Sequence, residues 1–294
     1  MQKIILYYKF TPIKDPNVVK LWQIALCEKL DLMGRIIVSP KGINGTLAGE
    51  LDNLRNYVKE IKAYQGFKDI DFKWNDGSKE DFPRLNVKVR SETVTLGMPD
   101  AVKVTKSGVV NGGARLKPNQ LANFVKDNPD AVLFDGRNNY ESAIGKFKNA
   151  VIPDIDNFRD FPKELKKPKY KKLKAKPVVT YCTGGIRCEV LTALLKQEGF
   201  TKVYQLDGGI VKYGQIYGDK GLWEGKCFVF DDRISVGFSD SSVDIGSCVR
   251  CRSKTSRYLN CTNKTCNKLI LICGKCSNHE SCSSACNLAA LSAI

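Results

Sequence analysis

The sequence is poor in histidine and lacks two common glycine-rich motifs. Its 294 residues include one histidine, His279, and contain neither GxGxxG nor GxxxxGK[ST]. One histidine cannot supply an iron site made of two histidines and one carboxylate. The missing motifs exclude the usual Rossmann and Walker nucleotide-binding loops. We therefore expect neither facial-triad iron nor a Rossmann cofactor.

Long apolar runs are also missing. No run approaches the about 18 residues of a membrane helix, and the first ten residues lack the apolar stretch and cleavage site of a signal peptide. We expect no membrane association and a cytoplasmic location. Thiols stay reduced there, so the twelve cysteines are expected to be metal ligands, nucleophiles or buried thiols rather than disulfides.

Positive charge is in excess. Lysine and arginine number 47 against 31 acidic residues, which gives a net charge of +16 and favours a polyanionic partner. Eight lysines, interrupted by one glutamate, lie between positions 163 and 176. Such a run is either an RNA-binding surface or a solvated charged face. The candidate RNA contacts in this run are Lys166, Lys167, Lys169, Lys171, Lys172 and Lys174.

The chain length predicts about two domains at about 150 residues each, and the patterning divides the chain into 1–95, 96–225 and 226–294. The first segment reads β-α-β-β-α-β, with strands at 4–8, 35–38, 45–48, 70–74 and 85–89 and helices at 16–30 and 51–63. This order predicts a ferredoxin-like, antiparallel α+β domain. Its segment Ser39–Thr46 is either a hairpin turn or a phosphate contact that uses Lys41.

The second segment alternates short apolar strands with helices. Strands are predicted at 131–135, 177–181 and 202–206, and helices at 119–127, near Tyr140 and at 187–198. This rhythm predicts a parallel α/β sheet.

A cysteine loop follows the predicted strand Pro177–Tyr181. Cys182 comes at the carboxyl end of a buried parallel strand and precedes a glycine-containing loop and a helix, where open α/β sheets bind ligands. The loop N–H groups, the positive end of the helix and Arg187 are expected to lower the pKa of Cys182. The residues expected to hold its anion are Thr183, Gly184, Gly185, Ile186 and Arg187. The alternative is that Cys182 is an unreactive, purely structural thiol, buried beside a tight turn.

Four residues separate Cys182 from Arg187, one fewer than in the phosphate loop of protein tyrosine phosphatases. This shorter ring resembles the active-site loop of rhodaneses, which carry sulfur as a cysteine persulfide. The segments Asp135–Glu141 and Leu206–Ile210 resemble two further rhodanese segments. Cys188 either packs in the helix or resolves a disulfide with Cys182.

The whole string Tyr181–Glu189 is more specific than a generic rhodanese loop. With the segments 39–46, 158–162 and 225–233, it resembles the rhodanese-domain tRNA uridine hydroxylase family. The resemblance implies oxygen-dependent conversion of the wobble uridine of tRNA, at the anticodon, to 5-hydroxyuridine. It implies Cys182 as the essential residue, a persulfide as its intermediate, and O2 with an electron donor that the sequence does not identify.

The third segment holds eight of the twelve cysteines between positions 248 and 286, and this stretch of 39 residues is too short to fold on an apolar core without a covalent or metal cross-link. Four cysteine pairs have the spacing of zinc ligands, which predicts two zinc sites of four cysteines each, although a disulfide-stapled or metal-free tail stays open. The candidate ligands are Cys248, Cys251, Cys261, Cys266, Cys273, Cys276, Cys282 and Cys286.

Two other functions compete with tRNA hydroxylation. A persulfide-carrying sulfurtransferase would take sulfur from thiosulfate or another donor and pass it to an acceptor. A non-catalytic zinc and RNA-binding module would bind tRNA independently of Cys182. A Cys182→Ser variant distinguishes this non-catalytic module from the hydroxylase and the sulfurtransferase.

Overall fold

The first segment forms one sheet with two helices on one of its faces. In this computed structural model, which describes residues 1–263, 265–278, 281–283 and 286, the elements are β1 (Gln2–Phe10), α1 (Pro16–Lys29), β2 (Met33–Ser39), β3 (Gly42–Glu50), α2 (Leu51–Ala63), β4 (Phe72–Asn75) and β5 (Leu85–Val89). Alternate strand residues such as Ile5, Ile36 and Leu47 point to the helices and form the core. The ferredoxin-like prediction is confirmed; His279 lies outside the described residues.

A fifth strand departs from the four-strand, antiparallel pattern. The sheet order is β4-β1-β3-β2-β5, and β5 pairs in parallel with β2 from Gly34–Leu85 to Val38–Val89. A parallel neighbour needs a crossover connection rather than a hairpin. The open face of the sheet, opposite the helices, is thereby one strand wider.

Two short strands, β6 (Val104–Thr105) and β7 (Gly108–Val109), form a hairpin between the two sheets. The central elements are β8 (Ala114–Leu116), α3 (Pro118–Asp127), β9 (Val132–Asp135), α4 (Asn139–Ser142), β10 (Gly145–Phe147), α5 (Phe161–Glu164), β11 (Pro177–Tyr181), α6 (Ile186–Gln197), β12 (Lys202–Leu206), α7 (Gly209–Tyr217) and β13 (Trp223–Gly225). Strands β8, β12, β11 and β9 pair in that order, all in parallel. This confirms the rhodanese-like parallel α/β prediction.

Strand β11 lies inside this parallel sheet, and each of its five residues is buried. Because the strands are parallel, the carboxyl ends of β9, β11 and β12 meet at one edge. Asp135, Cys182 and Asp207 therefore come to the same edge of the sheet. The predicted boundaries after residues 95 and 225 stay predictions.

The cysteine-rich tail has little regular structure. Its strands are β14 (Cys227–Phe228), β15 (Ser235–Val236), β16 (Tyr258–Asn260) and β17 (Leu269–Leu271), which form two hairpins. A small apolar cluster of Cys248, Ile270, Ile272 and Cys273 lies against them. Among the described residues, no helix is both long and apolar enough to cross a membrane. The cytoplasmic location stays a prediction.

Candidate active site

Cys182 directly follows the last residue of β11 and is fully buried. Its Sγ accepts a hydrogen bond of 3.1 Å from the backbone N–H of Gly185. Gly185 has a φ of 98°, which a residue with a side chain rarely adopts, and it immediately precedes α6. The amino end of α6 therefore faces the thiol, as the sequence predicts.

The loop carbonyls point away from the thiol. The carbonyl oxygens of Cys182 and Thr183 accept hydrogen bonds from the N–H groups of Ile210 and Val211, at 2.9 and 3.0 Å. Gly209 makes this contact possible, because a Cβ there would lie 2.4 Å from the Cys182 carbonyl oxygen. The turn after β12 thus fixes the loop in the orientation that presents N–H groups to the sulfur.

The electrostatics of the loop favour the thiolate form of Cys182. Burial raises its pKa, but hydrogen bonds from the Cys188 thiol and from the N–H groups of Cys188 and Gly185, together with the Arg187 cation, outweigh burial and lower the pKa to about 6. Burial and the neighbouring Cys182 raise the pKa of Cys188 well above that of an ordinary thiol. The pair therefore consists of one thiolate and one thiol donor at neutral pH.

A buried carboxylate holds Arg187 in place. Arg187 donates from Nη1 and Nη2 to the two carboxylate oxygens of Glu141, the Nη2 bond being 2.7 Å long, and Nη2 also donates to the Thr183 hydroxyl at 3.1 Å. Glu141 is fully buried. The bidentate geometry fixes both the direction and the position of the cation beside the loop.

A second buried ion pair supports the first. Arg137 donates to both carboxylate oxygens of Asp135, from Nε at 2.9 Å and from Nη2 at 2.7 Å, and also to the Gly145 carbonyl. Neither side chain of this pair is exposed. The segment Asp135–Glu141, singled out for its resemblance to rhodaneses, therefore supplies both the structural pair and the Glu141 partner of Arg187.

The open face of the N-terminal sheet covers the cysteine loop and leaves a cavity of about 410 Å³ between them. A volume of this size lies within the range of about 300–1,000 Å³ of small-molecule sites. The cavity is lined on the loop side by Cys182 and Arg187, and on the sheet side by Tyr8, Arg35, Asn44 and Thr46.

Polar contacts join the sheet to the rhodanese-like domain beside this cavity. The Tyr8 hydroxyl donates to Glu189 Oε1 at 3.0 Å, and Arg115 pairs with both Glu189 and Asp207. Lys73 lies over the Tyr8 ring, 5.1 Å from its centroid. Tyr8 therefore connects the two domains, and its ring and hydroxyl both have partners.

The eight tail cysteines form two groups that interleave along the chain. Cys248 and Cys251 join Cys273 and Cys276, whereas Cys261 and Cys266 join Cys282 and Cys286, and within each group the Sγ atoms lie within 4.8 Å of one another. The first pair thus meets the third and the second meets the fourth. Spacing alone predicts the pairs but not which pairs meet.

The comparisons with known proteins agree along the chain. Residues 2–93 match the UPF0176 acylphosphatase like domain, residues 117–215 the rhodanese-like domain, and residues 224–287 the rhodanase C-terminal family. The chain is 54% identical over 282 residues to a tRNA uridine(34) hydroxylase from an Arthrobacter species, with 95% of each chain covered. It is 53% identical to proteins of that name from Corynebacterium jeikeium, covering 94% and 89% of the two chains, and from Pseudarthrobacter chlorophenolicus, covering 94% and 95%. The chain belongs to the tRNA uridine(34) hydroxylase family.

Within this family member, the predicted lysine run lies far from the cysteine loop. The run precedes β11, whereas Cys182 follows it, so a strand of five residues, roughly 15 Å, separates them. Lys174 donates to the carbonyl of Glu198, beyond the far end of α6, while Lys167 and Lys169 pair with Glu164. The run therefore lies at the opposite end of the strand from the thiolate.

The other predicted RNA-contact residues divide similarly. Lys166, Lys171 and Lys172 are exposed and form no ion pair among the described residues. Segment Ser39–Thr46 forms the β2–β3 hairpin, where the Lys41 ammonium donates to the carbonyls of Pro99 and Val102. A phosphate contact by Lys41 stays a prediction, and two of the three donor hydrogens of its ammonium are already used by these carbonyls.

Three residues of the site were not predicted from the sequence. Glu141, Tyr8 and Phe230 respectively hold Arg187, join the domains and line the cavity. Glu141 lies within the segment Asp135–Glu141, whose resemblance to rhodaneses was the available signal. Phe230 lies within segment 225–233, one of the segments that carry the family resemblance, whereas Tyr8 is more than 150 positions before the loop and no local pattern indicates it.

Proposed function

We propose that this protein hydroxylates uridine 34 of tRNA at C5 of the uracil and that the reaction depends on Cys182. The observation that carries the proposal is the thiolate at the bottom of a cavity closed by the N-terminal sheet. Bases that proteins modify are taken out of their stack into pockets of this kind. The anticodon loop is single-stranded, so its bases are available to such a pocket.

In this proposal, the loop residues hold negative charge on sulfur. The N–H groups of Gly185 and Cys188 and the Arg187 guanidinium stabilise the Cys182 thiolate, and the same groups suit a persulfide anion. O2 supplies the oxygen atom of the product, and an electron donor supplies the two electrons that reduce the second oxygen atom to water. Cys188 lies in the first turn of α6, close to Cys182, and has two candidate roles: it donates a hydrogen bond to the thiolate, or it forms a disulfide with Cys182 once that residue is oxidised.

We also propose zinc in the two cysteine groups of the tail. Zn–S bonds of about 2.3 Å in a tetrahedron place neighbouring sulfurs about 3.8 Å apart. The Sγ separations are 3.6 Å for Cys251–Cys273, 3.5 Å for Cys261–Cys286 and 3.6 Å for Cys266–Cys282. The residues therefore fit a closed, structural site of four cysteines, and the zinc would add to the small apolar clusters of this segment the stabilisation that they are too small to supply.

For tRNA binding, we propose that the lysine run contacts phosphates away from the anticodon. The run lies at the far end of β11, so only an extended partner reaches both it and Cys182. Replacing Lys166, Lys171 and Lys172 with Gln should lower the slope of log affinity against log salt by about one per lost phosphate contact. The rate of hydroxylation at saturating tRNA should not change.

The deciding experiment measures 5-hydroxyuridine and its derivatives in digested tRNA by mass spectrometry. The tRNA comes from cells that lack the protein and from the same cells given wild type, Cys182→Ser or Cys227→Ala. Cys227 is the matched control, because it is equally buried but burial raises its pKa to about 12. We expect wild type and Cys227→Ala to restore the nucleoside and Cys182→Ser to leave it absent. Restoration by Cys182→Ser would contradict the proposal.

Persulfide transfer is the second candidate, favoured by the N–H groups that surround the Cys182 sulfur. It predicts sulfur release from a loaded enzyme to an acceptor such as cyanide, and tRNA whose 5-hydroxyuridine does not depend on the protein. A non-catalytic zinc and RNA-binding module predicts tRNA binding unchanged by Cys182→Ser and no product from either variant. The nucleoside measurement, combined with these two assays, separates all three.

A further inference from the structure

An exposed aromatic ring borders the Cys182 cavity. Phe230 is 46% exposed although its side chain is apolar, and it lines both the Cys182 cavity and an adjacent cavity of about 630 Å³. Two other aromatic residues line the Cys182 cavity, Tyr7 and Tyr8. Tyr7 is buried and hydrogen-bonded to Tyr57, and Tyr8 has Lys73 on its ring and Glu189 on its hydroxyl. Of these three aromatic residues, Phe230 is the most exposed, so its ring is the most accessible to a ligand.

The loop that carries Phe230 is held firmly in place. It connects β14 and β15, and Arg233 closes it by donating to both carboxylate oxygens of Asp231, at 2.8 and 2.7 Å. Arg233 also donates to the carbonyl of Asp76, and the N–H of Asp232 donates to the carbonyl of Asp81. The loop is therefore fastened to the N-terminal domain, and Phe230 is presented at the junction of the domains.

The backbone of this loop is strained as well. Ile234 has a φ of 63°, which is unfavourable for a β-branched residue. Strained backbone of this kind persists where surrounding contacts impose it, and it is common at binding sites. Here the N–H of Ile234 donates to the Asp231 carbonyl at 3.0 Å, and its own carbonyl accepts from the N–H of Val229 at 2.9 Å.

Arg187 connects the ring to the thiolate. Its guanidinium carbon lies 5.7 Å from the centroid of the Phe230 ring, within the range of a cation–π interaction, while Glu141 fixes the same guanidinium from another side. Phe228 packs edge-on against Phe230, with centroids 5.2 Å apart. Phe230 therefore has a defined orientation at the wall of the cavity that contains Cys182.

We infer that Phe230 is the stacking platform for the base of uridine 34 and thereby positions the uracil beside Cys182. Single-stranded RNA bases are commonly held by stacking on aromatic side chains. The inference rests on the proposed function, and it adds a substrate-positioning residue from the segment after the rhodanese-like domain. It predicts that the ring contributes to RNA binding only when base 34 is present.

The test measures the affinity of the full-length protein for an anticodon stem-loop RNA with uridine, or with an abasic nucleotide, at position 34. Stacking of one base contributes about 1–3 kcal/mol, so removing base 34 should weaken binding to wild type by a factor between about 5 and about 150. Phe230→Leu should bind the uridine RNA about as weakly as wild type binds the abasic RNA, with little further loss on the abasic RNA. Phe230→Tyr should behave like wild type.

Tyr64→Leu is the matched control. Tyr64 is 38% exposed and packs on another aromatic residue, Trp22, but it does not line the Cys182 cavity. This variant should keep the full loss of affinity on removal of base 34. The pH at which Cys182 ionises should be the same in Phe230→Leu and wild type, which separates stacking from an indirect effect through Arg187.

The inference is overturned if Phe230→Leu loses as much affinity as wild type does when base 34 is removed. It is also overturned if the affinity loss caused by Phe230→Leu disappears with an abasic nucleotide at position 35 rather than at position 34. Failure of the proposed function looks different. In that case wild type makes no 5-hydroxyuridine and does not distinguish the two RNAs, whatever residue occupies position 230. Failure of the inference is therefore seen in the Phe230→Leu variant, and failure of the proposed function is seen in the wild-type protein.

Discussion

The cysteine loop and the cysteine-rich tail use the same side chain in opposite ways. Cys182 and Cys188 are fully buried in a domain whose sheet and helices fold around an extensive apolar core. The described part of the tail instead has two apolar clusters of four buried residues each: two members of one are themselves cysteines, and the other includes Ile144 of the preceding domain. In the loop, a stably folded domain positions the thiol, whereas in the tail we expect the thiols to stabilise the fold.

This difference follows from what surrounds each sulfur. Loop N–H groups and Arg187 lie around Cys182 and stabilise its thiolate through hydrogen bonds and charge, so the sulfur stays free to react. In the tail, four sulfurs lie within 4.8 Å of one another, and such a group is stable when a cation binds all of its members. Removal of Cys182 should therefore abolish the reaction, and removal of a tail cysteine should destabilise the folded tail.

The largest effect is expected from Cys248→Ser. Structural zinc in small domains binds with an apparent free energy of about 10–16 kcal/mol, and the bound metal is part of the folded state. We expect wild type to carry two zinc ions per chain and the variant to carry one, with faster proteolysis of the tail. Metal analysis of reductively purified protein measures the first quantity and limited proteolysis the second.

Cys227→Ala is the control for this variant, since it removes a buried thiol outside both groups and should keep two zinc ions. Wild-type protein with less than one zinc per chain would refute the zinc proposal. Two zinc ions in Cys248→Ser would show instead that the first group does not depend on Cys248.

A smaller effect, on stability rather than on metal content, is expected from Glu141→Gln. The substitution leaves the Arg187 cation without its buried carboxylate, and breaking a buried pair in this way costs about 3–5 kcal/mol. The denaturant midpoint of the rhodanese-like domain should fall. Glu60→Gln, at an exposed residue with no ion pair among the described residues, should leave the midpoint unchanged. Equal midpoints for both variants would contradict a stabilising role for the Glu141–Arg187 pair.

The thiolate of Cys182 should be visible in the pH dependence of ultraviolet thiolate absorbance. The pKa of Cys182 is lowered from 9.0 to about 6, so the absorbance difference between wild type and Cys182→Ser should be present above about pH 6 and disappear below it. Because the pKa is lower in the folded chain, the thiolate stabilises the fold fully above about pH 9 and this stabilisation is lost as the pH falls through about 6. A midpoint near 9 would mean that the loop does not favour the anion.

The features that depend on neighbours along the chain are predictable from the sequence. The run of apolar residues indicated strand Pro177–Tyr181, and its position before a glycine loop placed Cys182 at the carboxyl end of a parallel strand. The features that depend on distant segments were not predictable in this way. Phe230 reaches the cavity through a loop fastened to the N-terminal domain, and the interleaving of the tail cysteines depends on how distant parts of the tail pack together.

The lysine run shows why closeness in sequence misleads. A strand is extended, so residues on either side of it are separated by its full length. The run before β11 is next to Cys182 in the sequence but lies at the other end of the sheet. Arg35, which is 147 positions earlier, lines the Cys182 cavity instead.

The smallest expected effect distinguishes the two candidate roles of Cys188. As a hydrogen-bond donor, Cys188 is one of several groups that lower the pKa of Cys182. Cys188→Ala should therefore raise the pH at which Cys182 ionises, whereas Cys188→Ser keeps a donor and should ionise Cys182 close to the wild-type pH. If donation is the whole role, Cys188→Ser also keeps hydroxylation. If Cys188 resolves an oxidised Cys182, Cys188→Ser loses turnover while Cys182 ionises normally, because a hydroxyl cannot form the disulfide. The serine variant thus separates the ionisation of the loop from its redox chemistry.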